Sequence, residues 1–552
     1  MKSNLVKEYL PPLRIVKRSE NFTGEEVLIE KGGGRLFLSE KQYACCTGRG
    51  YIILDFGREL CGGIRILSLY KAGAPRCLRI RLRFGESVGE TCAEIGEKNA
   101  TNDHSLRDFE IQIPCSSDQE WGQTGFRFVR IDFLDEEEYR LVGIFAAFSH
   151  RDLVFKGSFE CNDPLINKIY ETARYTLFLN MQGGIWDGIK RDRLVWIGDM
   201  QPEVQAITDV FGKDESVEVC IRESVLKNPL PCWFGNIPTY SFWFIRILYD
   251  YYLKTGNARF VREFLPYAEG ILRQLDASVK EDGEIDYSGA GIDARSGFFL
   301  DWPTNGTPDA KAGNRFVFLY VLSSMKRLYA MLGERPHSLC EALCERLSRK
   351  CETGVSAKQS VALGFLSGMI SSEEAAEKLA VGGGQGLSTF MSAFILEALG
   401  KSRNAETALK IMKEYYGGML SRGATSFWED FDLRWLENSG RIDELTPPGM
   451  SDLHGDFGNW CYRGFRHSLC HGWSCGPVQF LTEYILGIQI AEAGCKKISV
   501  CPHLGDLSWC KGTFPTPYGI LSVSLEQKDG GIHADVSAPK EVSVTLAQTT
   551  AV

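Results

Sequence analysis

Residues 159–182 read FECNDPLINKIYETARYTLFLNMQ, and the change of period within them decides the fold. Upstream, as far as about Phe155, the chain consists of short alternating segments such as YIILDFG, GGIRILSLY, CLRIRLRFG, FRFVRIDFL and GIFAAFSH, set apart by Gly- or Asp-rich turns. Alternation puts apolar side chains on one face of a strand, so residues 1–156 are expected to form an antiparallel β-sandwich. From Asn162 the apolar residues recur with a helical period instead. The pattern continues through QPEVQAITDVFG, YSFWFIRILYDYYLKTG, NARFVREFLPYAEGILRQLDAS and GNRFVFLYVLSSMKRLYAMLG to VQFLTEYILG at 478–487. Roughly a dozen helices fit in this span. Wide apolar faces joined by long polar loops predict helices paired in rings, a helical barrel over 157–487 whose loop end forms a pocket. After Ile488 strand-like segments return (KKISVCPHL, GILSVSLEQ, GIHADVSA, EVSVTLAQ), predicting a small C-terminal β-sandwich domain over 488–552.

At 552 residues the chain exceeds one ordinary core, in keeping with three units. Its apolar fraction of 44% and charged fraction of 24% are those of a globular protein, and the net charge of −9 argues against nucleic acid or an anionic membrane as partner. A small neutral substrate suits that charge better. The opening MKSNLVKEYLPPLRIVKRSE has no apolar core of a signal peptide, and no run approaches a membrane span, so a cytoplasmic location is expected. The 18 cysteines are scattered, without a CxxC pair or a Cys/His cluster at zinc spacing, which predicts buried thiols and no metal.

The chemistry concentrates in GGIWDGIKRDRLVWIGDMQPE, Gly183 to Glu203. Asp187, Asp192 and Asp199 lie five and seven residues apart, with Arg191 and Arg193 beside the middle one and two tryptophans, Trp186 and Trp196, close by. Carboxylates and guanidinium groups take sugar hydroxyls, and indole faces cover the apolar side of a pyranose. Nine of the eleven tryptophans lie between Trp186 and Trp473, many in loop-like contexts, among them Trp233, Trp243, Trp302, Trp428 and Trp473. A second acidic cluster, Glu429, Asp430 and Asp432, follows Trp428, and three of the eight histidines, His454, His467 and His471, fall within the next 18-residue histidine-rich stretch. One carboxylic acid to protonate a leaving oxygen, one carboxylate to activate water and neutral groups to hold a ring are what glycoside hydrolysis requires.

These motifs give the chain a resemblance to compact bacterial α-L-rhamnosidases of glycoside hydrolase family 78 over nearly its whole length. LDFGRELCGGIRI followed by RLRFGES is similar to the family's N-terminal strand pattern, and FECNDPLINKIYETARYT resembles the start of the family's (α/α)6 barrel. The family motif close to Asp-x-x-x-Arg-Asp-Glu-Arg-x-Gly-Trp-x-Gly-Asp stands here as DGIKRDRLVWIGD, with Asp187, Arg191, Trp196, Gly198 and Asp199 matching. Where the family has Asp-Glu-Arg, with Glu the usual general acid, this chain has only Asp192-Arg193. Counting back from Asp199 puts Asp192 in the acid's place, and counting forward from Asp187 puts Arg193 there; Asp192 is the assignment favoured.

The resemblance implies an exo-acting, inverting α-L-rhamnosidase that takes terminal rhamnose from small rhamnosides. Asp192 would be the general acid and Glu429 the general base, while Asp187, Arg191, Trp196, Asp199, Trp243, Trp302 and His471 would form the rhamnose subsite. Inversion implies catalytic carboxyls about 6.5–9.5 Å apart. No cofactor or metal is implied, and the expected partners are a rhamnoside and a second copy of the chain in a homodimer. Two alternatives stand beside this reading: another inverting (α/α)6-barrel glycosidase acting on a different sugar, and a rhamnose-binding protein of weak activity.

Overall fold

The computed structural model describes residues 5–29, 34–37, 40–69, 73, 75–349 and 353–547. Residues 1–4 and 548–552, the outer ends of the expected N- and C-terminal units, lie outside the described residues.

The N-terminal region is β-rich. Nine strands join in a single hydrogen-bonded antiparallel sheet, and three of them are long: Gly50–Ser68, Ser117–Phe133 and Glu138–Arg151. The strand Gly50–Ser68 changes neighbours along its length. Its first half pairs with Arg14–Arg18 and with Phe128–Phe133, its second half with Ser117–Thr124 and with Leu141–Phe148. The register shifts between Asp55 and Leu60 and between Gly62 and Ile64, so the turnover of partners falls on bulges. Glycine is required there. A Cβ on Gly62 would stand 2.1 Å from the Ala147 carbonyl oxygen, and one on Gly63 would stand 2.3 Å from that of Gly122. The dipeptide in CGGIRI thus permits the close backbone approach that a bulge between three strands demands.

The central region is helical, as the period predicts. The helix Pro164–Asn180 starts at Asp163, whose carboxylate accepts from the Leu165 and Ile166 amides, with Pro164 at the first position where no amide hydrogen is needed. Six helices contact one another in a closed cycle: Met200–Val210, Pro238–Thr255, Pro308–Leu332, Lys358–Leu366, Ser392–Lys401 and Gly476–Phe480, the last returning to the first. Outside them pack Pro164–Asn180, Ala258–Ser278, Ser338–Arg349, Ser372–Ala380 and Ala405–Ser421. The inner helices are apolar almost all round. Pro238–Thr255 buries Phe242, Trp243, Phe244, Ile245, Ile247 and Leu248 in succession, which is the pattern of a helix covered on every side.

The C-terminal region returns to strands, in a four-stranded and a three-stranded sheet. One member comes from elsewhere in the chain. Ser158–Cys161 pairs antiparallel with Trp509–Thr516, so the residues just before the first long helix belong to the C-terminal sheet. Four residues are too few to display a period of two, which is why the sequence places them with the helices that follow. No helix among the described residues is long and apolar enough to cross a membrane, and the described cysteines are free thiols, most of them buried or half-buried.

Candidate active site

The N-terminal ends of the inner helices gather the polar loops. Asp199 precedes Met200–Val210, Tyr240 lies in the first turn of Pro238–Thr255, Trp302 precedes Pro308–Leu332, Thr389 precedes Ser392–Lys401, and His471 and Trp473 precede Gly476–Phe480. Helix N-termini carry partial positive charge, so this end favours acidic groups.

Asp187 is the centre of the first loop. It is buried, and its two oxygens accept the amides of Asp192 and Leu194, both at 2.9 Å, which curls the loop around it with Arg191 buried and Asp192 partly exposed. Burial pushes Asp187 up to about 6 in spite of those amides. Arg191 bridges two carboxylates: its Nε stands 3.3 Å from Asp192 Oδ1 and its Nη2 3.2 Å from Glu429 Oε1, while Nη1 donates to the Cys461 carbonyl at 3.0 Å. One guanidinium spanning both contacts sets those two oxygens at most about 9 Å apart, a limit that does not exceed the separation inversion calls for. Tyr462 lies under the guanidinium.

Glu429 is fixed on all sides. Its Oε2 accepts the Ser468 amide at 3.0 Å, its own amide donates to the Ser468 carbonyl at 3.0 Å, and its carbonyl accepts the Trp473 indole N–H at 3.0 Å. Burial raises its carboxyl to about 8, against the pull of Arg191. Asp199 accepts the Tyr240 hydroxyl at 2.7 Å, and burial followed by repulsion from Asp187 holds it well above the usual carboxylate range. His471 sits among these acids, its Nε2 3.9 Å from Asp187 Oδ2, from Asp199 Oδ2 and from Glu429 Oε1. Burial, then Arg191, pushes the imidazole well below its ordinary range, so it is neutral. Asp187, Asp199 and His471 each offer a ligand atom within 4.8 Å of one another and could hold a cation; Glu86, Glu90 and His454 do the same, but there Lys190 Nζ already lies 2.9 and 3.1 Å from the two glutamates.

The structure therefore brings Asp187, Arg191, Asp192, Asp199, Glu429 and His471 into one cluster. Trp302 lines a cleft with Glu429, Asp430, Tyr462 and Trp473. Trp196 is half-buried and meets the Tyr240 ring edge-on, and Gly198 lets that ring approach: a Cβ there would lie 2.2 Å from it. Trp243, expected in the sugar wall, has the contacts of a core residue. It is fully buried, its ring stacked on Phe394 at 4.5 Å, because it lies mid-helix on an element covered all round.

Several residues escape the sequence reading. Glu203 is one helical turn from Asp199, and neither of its buried oxygens has a hydrogen-bond partner; burial and then Asp199 hold it well above the usual range. The i, i+4 spacing in DMQPE was the available signal. Tyr240 and Tyr462 had none. The contribution of the N-terminal region was also hidden, since nothing local announces a long-range contact. Glu86 accepts the Leu469 amide at 2.6 Å, Glu86 and Glu90 lie 2.9 and 3.1 Å from Lys190 Nζ, and His104 Nε2 stands 3.3 Å from Asp192 Oδ1.

Two family models match the chain. The bacterial α-L-rhamnosidase six-hairpin glycosidase domain covers residues 155–348, and the bacterial α-L-rhamnosidase C-terminal domain covers 487–551. The first holds Asp187 through Trp302; Glu429 and His471 fall between the two. Among curated proteins, an α-L-rhamnosidase of Alteromonas sp. (strain LOR) is 23% identical over 89% of this chain and 55% of its own. This chain thus spans about half the length of that relative. Among solved structures, the GH78 family rhamnosidase of Bacillus sp. GL1 superposes with a TM-score of 0.74 at 22% identity, covering 93% of this chain and 55% of that one. A rhamnosidase from Klebsiella oxytoca with rhamnose bound gives a TM-score of 0.66 at 17% identity, covering 87% and 96%. At these identities the structural likeness speaks for the fold.

Proposed function

We propose that the chain is a member of the bacterial α-L-rhamnosidases of glycoside hydrolase family 78, and that it is an exo-acting, inverting enzyme cleaving terminal α-L-rhamnose from small rhamnosides. The observation that carries the reading is the cluster itself: Asp192 and Glu429 on either side of Arg191, with Asp187, Asp199 and neutral His471 converging beside them. We read the closed cycle of six inner helices as an (α/α)6 barrel and the N-terminal sheet as a sandwich folded over at its bulges. The free thiols support a cytoplasmic setting.

In this mechanism Asp192 protonates the glycosidic oxygen as its bond to the anomeric carbon breaks, and Glu429 takes a proton from the water that attacks the opposite face. Asp187, Asp199 and His471 accept or share hydrogen bonds with ring hydroxyls. Trp302 would cover an apolar face of the sugar. As a base Glu429 acts from its ionised form, so the rate should rise with pH through about 8. That upward shift also favours a second reading in which the roles are exchanged and Glu429, protonated at neutral pH, is the donor.

Two measurements test the proposal. In a panel of p-nitrophenyl glycosides, rhamnoside hydrolysis supports it, hydrolysis of another sugar points to a different glycosidase, and binding without turnover points to a binding protein. NMR of the first-formed sugar should show β-L-rhamnose; the α-anomer at early times would exclude direct displacement by water.

A further inference from the structure

Asp192 differs from the other acids of the cluster in where it faces. Its side chain retains 19% exposure and points toward the N-terminal β-rich region, which sends the loop 100–107 against it. That loop is pinned. Asn102 Oδ1 accepts the Arg107 and Asp108 amides at 3.0 and 3.1 Å, and the Ser105 hydroxyl donates to the Lys190 carbonyl at 3.0 Å, one residue before Arg191. Between these anchors His104 places Nε2 3.3 Å from Asp192 Oδ1 and 3.4 Å from Asp103 Oδ2. Arg466, from the loop before His467, puts Nη2 3.2 Å from the same Nε2 and Nε 2.9 Å from Asp103 Oδ2.

We propose that His104 is a positioning and proton-shuttling residue for Asp192: it holds the proton between turnovers and returns it to the Asp192 carboxylate. This rests on the reading of Asp192 as general acid. When Asp192 gives its proton to the leaving oxygen, the electron pair of the broken C–O bond stays on that oxygen, and Asp192 is left as a carboxylate in need of a new proton. An imidazolium at His104, its Nε2 3.3 Å from Oδ1, supplies it once that nitrogen no longer accepts from Arg466 Nη2, and the neutral imidazole that results is recharged from solvent, to which its side chain is 26% exposed. The charged groups facing His104 are Asp103 on its own loop, Asp192 and Arg191 on the catalytic loop, and Arg466 on the third.

The test uses His104→Ala and His104→Gln in the full chain, with a rhamnosyl disaccharide and p-nitrophenyl rhamnoside as substrates. If the proposal holds, kcat on the disaccharide falls about tenfold or more in both variants while KM is little changed, and the aryl rhamnoside, whose leaving group needs little protonation, loses no more than about twofold. The alkaline-side limb that a protonated His104 sets in the pH profile should vanish, and added imidazole should restore part of the His104→Ala rate in proportion to its concentration. In an Asp192→Asn background His104→Ala should cost nothing further. Full activity of His104→Gln would overturn the shuttle, since glutamine can position but not exchange a proton, and equal losses on both substrates would reduce His104 to a structural role. Failure of the underlying reading looks different: Asp192→Asn alone would then depress both substrates equally.

Discussion

At the C-terminal ends of the inner helices, Lys254 Nζ lies 2.5 Å from Asp209 and 3.0 Å from Glu483, Arg246 Nε lies 2.6 Å from Asp250, and Lys401 Nζ lies 2.6 Å from Glu397. At the N-terminal ends of the same helices Asp187, Asp199, Glu203 and Glu429 are equally buried, yet Arg191 is the one full cation among them in the described structure. Asp199 and Asp209 bracket a single helix, ten residues or about 15 Å apart. The titration behaviour follows the pairing at Glu397 but not throughout, since burial raises Asp209 to about 7 and lifts Asp250 in spite of Lys254 and Arg246. Burial alone would push Glu397 up, but Lys401 and Arg246 outweigh it and hold the carboxyl at about 2. With fewer cations, Glu429 stands at about 8 and Asp187 at about 6. Matched charge marks the end that holds the ring of helices together; unmatched carboxyls mark the end left with protons to exchange and hydrogen bonds to offer a ligand.

The largest expected effect falls on activity at the unmatched end. Glu429→Gln should lower kcat by a factor of order 10² or more on aryl and natural rhamnosides alike, because water must be activated whatever departs. Steady-state rates on both substrates check this. If the loss appears only on the natural substrate, Glu429 is the proton donor and the roles are exchanged.

At the matched end the same kind of deletion should cost stability instead. Lys254→Met strands Asp209 and Glu483 in the interior, and removing one partner of a buried pair typically costs about 3–5 kcal/mol. Calorimetry should find a much lower unfolding temperature for Lys254→Met. For Glu429→Gln, which removes a carboxyl that burial already disfavours, it should find one equal to or above the parent's. Equal destabilisation of both variants would erase the distinction between the two ends.

The pH dependence of stability sharpens the same contrast. Asp187, Asp209 and Glu429 have folded pKa values raised above their ordinary range and contribute stability that is lost as pH rises through about 6 to 8, while the buried imidazoles of His454, His467 and His471, held well below their ordinary range, contribute with the opposite sign up to about pH 6.5, so the net fall lies above that point. Glu397 has the opposite sign: its depressed value contributes stability that is present above the unfolded pKa and is lost as pH falls toward about 2. Thermal melts across pH should therefore decline from about 6.5 to 8 in the parent protein and decline less steeply in Glu429→Gln. A melt curve that rises over that range would mean the unmatched acids are ionised and satisfied in the folded protein.

The sequence reveals the unmatched end better than the matched one, for a physical reason. Asp187, Arg191, Asp192 and Asp199 are neighbours in the chain, and a loop held by its own amides keeps them neighbours in space. Strand and helix periods were legible for the same reason, being set by local geometry. The pairs Lys254–Glu483 and Arg246–Glu397 join residues hundreds or scores of positions apart, and the loops bearing His104 and Glu86 reach the catalytic loop only after the β-rich region has docked. Such contacts leave no trace in spacing. The tryptophans mark the boundary between the two cases. Loop context suggested a ligand wall for Trp243 and Trp302 together, but Trp243 lies within Pro238–Thr255 and Trp302 lies in the loop before Pro308.

The smallest predicted effect separates those two tryptophans. Trp243→Phe keeps an aromatic ring against Phe394 and removes an indole N–H that is buried without a partner, so the lost volume is partly offset. The net change should be about 1 kcal/mol of stability or less, with KM for a rhamnoside within about twofold. Trp302→Ala removes a wall of the cleft that also holds Glu429 and Tyr462 and should raise KM with little change in unfolding temperature. A large rise in KM for Trp243→Phe would mean that the indole reaches the bound sugar through the floor of the cleft, and that Trp243 belongs with the carboxyls above it and not with the core below.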